Sequence, residues 1–219
     1  MTADMSLRDE LQDLHENKHR KLPSDALEIM DRAARELAAT RMAGSAVGVG
    51  AQAPRFTLPS ATGKDVALDS LLADGPVVLT FYRGAWCPYC NLALRALQQH
   101  QDAITARGAR LVAVSPQIPD ESLSLIEKEQ LAFEVLSDGG SEVAERFGIA
   151  FDLSDELGDL YDRFGFDLQR VNSGNVRTLP LPATYVIDRT GVIRWAFVTT
   201  DYTVRAEPSE IVAALHALT

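Results

Sequence analysis

The sequence predicts a three-layer α/β domain preceded by a helical arm, and three observations predict it. Between residues 77 and 150, short apolar runs alternate with segments of helical periodicity. Near the end, two apolar runs flank Arg189-Thr190-Gly191 and a closing helix follows. Ahead of residue 46, the apolar residues fall at helical spacing alone. The 219 residues, 46% of them hydrophobic, are enough to fill one substantial core.

The elements follow in order. Leu7, Leu11 and Leu14 mark a first helix, and Leu27, Met30, Ala34 and Leu37 a second. Pro23-Ser24-Asp25 breaks the first and is expected to supply an N-cap for the second. Ala43 to Gly50 reads as a linker, which sets an arm at 1–46 and a main domain at 47–219. Phe56-Thr57-Leu58 and Val66-Ala67-Leu68 suggest a small hairpin around Thr62-Gly63-Lys64. The unbroken run Val77 to Tyr82 suits a buried central strand. A helix is predicted from Pro88 to about Arg107, then a strand over Arg110 to Ser115. A helix over Pro119 to Leu131, a short strand over Phe133 to Leu136 and a helix over Glu142 to Phe147 follow. Residues 150–180 read as irregular, with Tyr161, Phe164 and Phe166 either overhanging the active site or packing as a plain insert. Thr184 to Asp188 and Val192 to Val198 form the last hairpin, and Glu207-Pro208-Ser209-Glu210 opens the closing helix.

Composition excludes several function classes. The net charge of -10 repels phosphate backbones and anionic lipid, which disfavours nucleic acid and membrane as partners. Met1 to Arg20 is too polar for a secretory signal, and no window has the apolar length of a membrane span. A cytoplasmic setting is expected. The chain has two cysteines, separated by Pro88 and Tyr89. In a reducing compartment such a pair is seldom a structural staple and more often catalytic or metal-binding.

Cys87-Pro88-Tyr89-Cys90 sits where the buried strand hands over to a helix. Cys87 falls at the N-cap or first turn, where unpaired N–H groups and the positive end of the dipole favour thiolate. Pro88 suits the first helical position. Cys90, one turn on, is placed to close a disulfide with Cys87, as thiol–disulfide exchange requires. The bland alternatives are an inert buried pair or half of a zinc site. A zinc site needs about four ligands, and the only histidines are His15, His19, His100 and His216. Downstream, Pro182 leads into a strand, where a cis bond would present a backbone edge to the cysteines; an ordinary strand-entry proline is the alternative.

Val77-Val78-Leu79-Thr80-Phe81-Tyr82-Arg83-Gly84-Ala85-Trp86-Cys87-Pro88-Tyr89-Cys90 resembles the active-site segment of the peroxiredoxin-like branch of the alkyl hydroperoxide reductase/thiol-specific antioxidant (AhpC/TSA) family. Gly50 to Leu58, Leu111 to Ser115, Leu136-Ser137-Asp138 and Tyr185 to Gly191 resemble further family blocks in order. The resemblance spans roughly residues 47–218 and implies a thioredoxin-like, peroxiredoxin-type three-layer domain with a central mixed β-sheet. It implies a cysteine-based antioxidant oxidoreductase with no bound cofactor and no metal. Its substrate would be a hydroperoxide or a disulfide, and its reductant a thioredoxin- or glutathione-type donor. The family often dimerises, so a homodimer is implied as well.

The chain departs from the family motif Pro-x-x-x-Thr-x-x-Cys. Cys90 falls on the peroxidatic cysteine, Cys87 on the peroxide-orienting threonine and Arg83 on the proline. The position of the family's catalytic arginine, counted back from Asp188, is Pro182 here. Candidate donors for the leaving oxygen are therefore the helix N–H groups, Arg83 and Arg177. Thioredoxin logic makes Cys87 the attacker, and positional matching makes it Cys90. Disulfide exchange and a redox sensor that reacts once without turnover stand as alternatives to peroxide reduction.

Trp86 is placed to wall the site and offer an apolar surface, or to fill the core at the strand end. Arg83 either favours a thiolate by its charge or lies in solvent. His15-Glu16-Asn17-Lys18-His19 matches the zinc-protease pattern, but its highly charged helix reads as a solvated face. Asp65, Asp69 and Asp74 read as turn and capping residues, and Asp138-Gly139-Gly140 as a loop.

Overall fold

The computed structural model describes residues 5–173 and 177–218. The first four residues of the expected arm, residues 174–176 and Thr219 lie outside the described residues.

Helix α1 (Leu7–Lys21) begins at Ser6, whose Oγ accepts the Asp9 N–H at 3.2 Å. Its acidic first turn and basic last turn both suit the helix dipole. Helix α2 (Ser24–Ala39) starts without the expected side-chain cap. Ser24 is already helical, because Pro23 holds an extended conformation and its carbonyl accepts the Leu27 N–H at 3.1 Å. The expected linker is pinned to the domain. Met42–Gly44 forms a 3-10 turn, then Val47 N–H donates to the Phe147 carbonyl at 2.9 Å and Gly50 N–H to that of Ile193 at 2.8 Å.

Strands β1 (Thr57–Pro59) and β2 (Asp65–Ala67) form the expected hairpin, followed by α3 (Leu68–Asp74). Strand β3 (Val77–Phe81) is buried throughout. The helix predicted from Pro88 to Arg107 is two, α4 (Pro88–Gln99) and α5 (Gln101–Thr105), because His100 leaves helical geometry at ψ 6°. Strand β4 (Arg110–Ser115), α6 (Pro119–Glu129), β5 (Glu134–Ser137) and α7 (Glu142–Arg146) follow as predicted to within two residues. The 150–180 segment is ordered where it is described: β6 (Ala150–Asp152), α8 (Asp155–Arg163), α9 (Leu168–Val171) and β7 (Thr178–Pro180), with β6 and β7 antiparallel. Strands β8 (Ala183–Ile187) and β9 (Ile193–Val198) and helix α10 (Pro208–His216) close the chain.

The central sheet has five strands in the order β5-β4-β3-β8-β9. Strand β3 runs parallel to β4 and antiparallel to β8, so the sheet is mixed. Alternation along β3 feeds two cores. Val77, Leu79 and Phe81 pack with α3 and α7 residues such as Leu71 and Val143. Val78 packs with α4 and α10 residues such as Leu94 and Ile211, and Tyr82, just past the strand, joins it. Leu7 and Leu11 of α1 belong to this second core, together with both cysteines. Helix α2 packs instead on α8 through Ala26 and Met30. Among the described residues, no helix is long and apolar enough to cross a membrane.

At the β8–β9 turn, Asp188 accepts from the N–H groups of Thr190 and Val192, the Thr190 hydroxyl and Arg194. Partial burial opposes its charge, but these donors outweigh burial and hold its carboxyl at about 2. The depressed value means a contribution to stability that is present above the usual carboxylate range and lost as pH falls toward 2. Asp188→Asn is expected to lower stability at neutral pH by about 1–2 kcal/mol, a deficit that shrinks between pH 4 and pH 2; urea denaturation across that range measures it. Leu11→Ala removes a core side chain that is 4% exposed. It is expected to cost about 2–4 kcal/mol in the same assay, and a loss near zero would show that α1 does not pack on the domain in solution.

Candidate redox site

The site is built at the carboxyl end of β3. Tyr82, Arg83 and Gly84 leave the sheet, and α4 begins at Pro88 with Cys87 as its N-cap. The turn is fixed by short bonds: Cys87 N–H donates to the Gly84 carbonyl at 3.1 Å, Ala85 N–H to Gln117 Oε1 at 2.6 Å and Asn91 Nδ2 to the Ala85 carbonyl at 2.9 Å. Gly84 has φ 143°, and a Cβ there would come within 2.4 Å of Trp86 Nε1, so only glycine fits. The Cys87 carbonyl accepts the N–H groups of Cys90 and Asn91 and starts the helix.

Both cysteines are reduced and buried, Cys87 at 1% and Cys90 at 0% exposure. Burial pushes both thiols up. Cys87 moves well above the ordinary range, since burial and the neighbouring Cys90 sulfur act in the same direction. Cys90 moves well below it despite burial. The Cys87 thiol, the Arg205 guanidinium, and the backbone N–H and charge of Arg83 all favour its thiolate. Arg205 Nη2 donates to Cys90 Sγ at 3.0 Å. Its Nη1 donates to the carbonyls of Tyr202 and Val204 at 2.8 and 2.7 Å, which aims the guanidinium. Sequence reasoning missed Arg205. It lies in the turn before α10, with no local pattern tying it to the cysteines.

Arg83 is 3% exposed, not solvated. Its Nη2 donates to Tyr161 Oη at 2.7 Å, and its guanidinium lies 4.9 Å from the Trp86 ring, 5.1 Å from Tyr202 and 5.6 Å from Tyr161. Burial opposes its charge, but Tyr161 and the two sulfurs outweigh burial and hold it protonated above its usual value. Trp86 is the wall that its position suggested, with Tyr161 and Phe166 each at 5.3 Å from its ring. Tyr161, Phe164 and Phe166 line the cavity beside Cys87. Pro88 is exposed beside it, and Tyr89 is buried with its ring 5.6 Å from that of Tyr202. A cavity of about 440 Å³ opens onto Cys87, Trp86, Pro88 and Tyr89.

At Pro182 the ordinary strand-entry alternative is the one present, and the expectation for Arg177 is corrected. Among the described residues no peptide bond is cis, so the Leu181–Pro182 bond is trans. Pro182 is buried, its carbonyl accepts the Thr199 N–H at 3.2 Å, and it does not line the cavity that opens onto Cys87. Arg177 is held on α8 by Asp155, Asp159 and Asp162 at 3.6, 2.8 and 3.1 Å, away from the sulfurs. His15 and His19 stand with Nε2 atoms 3.2 Å apart, and His15 Nδ1 is 3.4 Å from Tyr89 Oη. The described residues contain no group of three His, Cys, Asp or Glu placed to hold a metal.

A mixed sheet that delivers a Cys-Pro-Tyr-Cys pair to the start of α4 defines a thioredoxin-fold protein with a dithiol centre. The chain belongs to the AhpC/TSA family, whose model matches residues 49–196. It is 28% identical over 177 residues to peroxiredoxin Q, chloroplastic, of Triticum aestivum, covering 81% of this chain and 71% of that one. It is 34% identical over 103 residues to the putative peroxiredoxin bcp of Haemophilus influenzae, covering 47% and 66%. It is 30% identical over 148 residues to peroxiredoxin Q, chloroplastic, of Populus jackii, covering 68% and 59%. The chain thus spans 59% to 71% of these relatives' own lengths. Among solved structures, peroxidoxin BcpB from Mycobacterium tuberculosis matches with a TM-score of 0.63 at 23% identity, covering 79% of this chain and 99% of that one. The family match begins after the two arm helices.

Arg205→Met removes the donor to Cys90. The thiolate absorbance of the reduced protein near 240 nm is expected to appear at higher pH than in the parent, while an unmoved titration would assign the activation to the helix terminus instead.

Proposed function

We propose that the protein is a thiol-dependent peroxidase in which Cys90 attacks the peroxide and Cys87 resolves the product. The hydrogen bond from Arg205 to Cys90 Sγ carries this reading. Of the two sulfurs it favours Cys90 as the thiolate, and positional matching to the family motif selects the same sulfur. The Cys90 sulfur attacks one peroxide oxygen and the O–O bond breaks. Sulfur is oxidised to the sulfenic acid, and the other oxygen leaves with one proton as an alcohol or water. The Cys87 thiol then attacks that sulfenic sulfur, forming the disulfide and releasing water. A thioredoxin- or glutathione-type thiol donor returns the pair to the reduced state by exchange. A reducing compartment such as the cytoplasm supplies that donor.

The leaving oxygen gathers negative charge and needs a donor. Arg83 supports this role. It is charged, it lines the cavity that reaches Cys87, and its Nε has no partner among the described residues. The Cys87 thiol, already directed at Cys90, occupies the place of the family threonine and is a further proton source.

Disulfide exchange is favoured by a different observation. Cys87 and the exposed Pro88 line the cavity, and Cys90 does not. Passing the shared proton from Cys87 to Cys90 would turn Cys87 into the attacking thiolate.

Stopped-flow tryptophan fluorescence with hydrogen peroxide separates the two. In the peroxidase, Cys87→Ser is expected to keep a fast bimolecular oxidation and lose turnover, while Cys90→Ser loses both. Oxidation of the parent no faster than that of a free thiol, with insulin disulfides reduced, would replace peroxide chemistry by exchange.

A further inference from the structure

The cavity that reaches Cys87 is only partly made by the family domain. Leu14, Asn17, Lys18 and Lys21 of α1, with Leu22 and Met30, form its outer wall. Trp86, Tyr89, Tyr161, Phe164, Phe166 and Tyr202 make the rest predominantly aromatic. The helices that supply that outer wall lie outside residues 49–196, the extent of the family match.

The charges of this cavity run against those of the chain. The protein as a whole carries -10, yet every charged side chain lining the cavity is a cation: Lys18 and Lys21 at the mouth, Arg83 inside. Lys18 is half-buried. Its Nζ donates to Tyr202 Oη at 2.7 Å and lies 5.4 Å from the Tyr202 ring. Burial lowers its affinity for a proton, and Asp31 and Asp201 oppose that effect from outside the cavity. None of Lys18, Lys21 and Arg83 makes an ion pair with a carboxylate among the described residues. Arg83 makes one side-chain hydrogen bond there and leaves its Nε unpartnered. The thiolate on Cys90 is one negative charge and already has Arg205. The sulfurs offset part of the Arg83 charge, but the cavity still sets three cations against no lining carboxylate, an excess of positive charge beside an apolar wall.

We propose that the N-terminal arm makes this cavity a selective site for molecules that join an apolar body to a single carboxylate. The apolar body packs against the aromatic wall, and the carboxylate takes hydrogen bonds from Lys18 and, within the cavity, from Arg83. Lys21 adds charge at the mouth. Lys18 is thus a specificity residue and takes no part in bond cleavage. The selectivity holds whichever bond the cysteines break, because it concerns what is held beside them.

The test uses the full chain with Cys87→Ser and Cys90→Ser together, which cannot turn over, and octanoate against octanol as probes. Trp86 lines the cavity, so intrinsic fluorescence reports occupancy, and calorimetry measures affinity. Octanoate is expected to bind on the order of tenfold more tightly than octanol. Lys18→Met with Lys21→Met is expected to cut that preference severalfold, the remainder resting on Arg83, and to leave octanol binding unchanged. Lys21 is exposed and Lys18 half-buried, neither belongs to the core, and methionine keeps the apolar stem of each side chain. Equal binding of the two probes, or an octanoate preference undiminished by the lysine substitutions, would overturn the proposal. Selective binding by a protein whose active form consumes no hydroperoxide would sustain the proposal and sink the peroxidase reading, so the two failures are distinguishable.

Discussion

A negative sulfur in an apolar interior has to be matched by positive charge, and the arrangement around α4 follows from that requirement. Cys90 has no solvent contact, so water cannot stabilise its thiolate. Taking an ion out of water costs several kcal/mol unless partners replace the lost hydration. The replacements come from opposite ends of the domain: Arg83 at the exit of β3 and Arg205 ahead of α10. The arginines in turn need shielding and aiming. The carbonyls of Tyr202 and Val204 aim Arg205, and the rings of Trp86, Tyr161 and Tyr202 surround Arg83. The segment carrying Tyr161 and Phe166 therefore serves electrostatics as much as packing. Closing a disulfide removes the negative charge and leaves both cations in place, so the redox state of the pair is linked to everything packed around it.

The departures from the family motif take on a physical meaning in this setting. A peroxidatic thiolate needs a donor on its own turn of chain and a cation beside it. The family motif supplies these through a threonine and an arginine, and here those positions hold Cys87 and Pro182. In the peroxidase we propose, the Cys87 thiol, directed at Cys90, fills the first role. Arg205 meets Cys90 from a separate loop and fills the second in the same proposal. The function of a charge depends on where it ends up and not on which segment delivers it. Pro182 is trans and does not line the cavity that opens onto Cys87.

What was legible in the sequence was what is local. Strand β3 announces itself because both of its faces are buried, which leaves a run from Val77 to Phe81 that is apolar except at Thr80. The dithiol is equally plain, since its two residues lie within one helical turn. Arg205 was not legible because it sits 115 residues from its sulfur, in a turn whose composition carries no signal. The break at His100 was hidden for another reason: Leu97 and Ile104 keep the helical spacing across it, and both are buried in one core. Residues 150–180 looked irregular because their elements are short. Strands β6 and β7 have three residues each, and helical periodicity needs more than the four residues of α9 to appear.

The arm joins these threads. A helix with a basic last turn and three leucines on one face reads as a generic amphipathic segment, and nothing in its sequence points at the cysteines. Its leucines nevertheless enter the same core as Cys87 and Cys90, and its lysines face the cavity that opens onto Cys87. An arm that merely stabilised the domain would need only the leucines. Burying the stem of Lys18 against Tyr202 while lowering its hold on a proton costs free energy, and folding alone has no use for it. The side chain that the fold does not require is the one placed at the mouth of the cavity that opens onto Cys87. A cation held there at such a cost makes sense when an anionic group arrives to complete it.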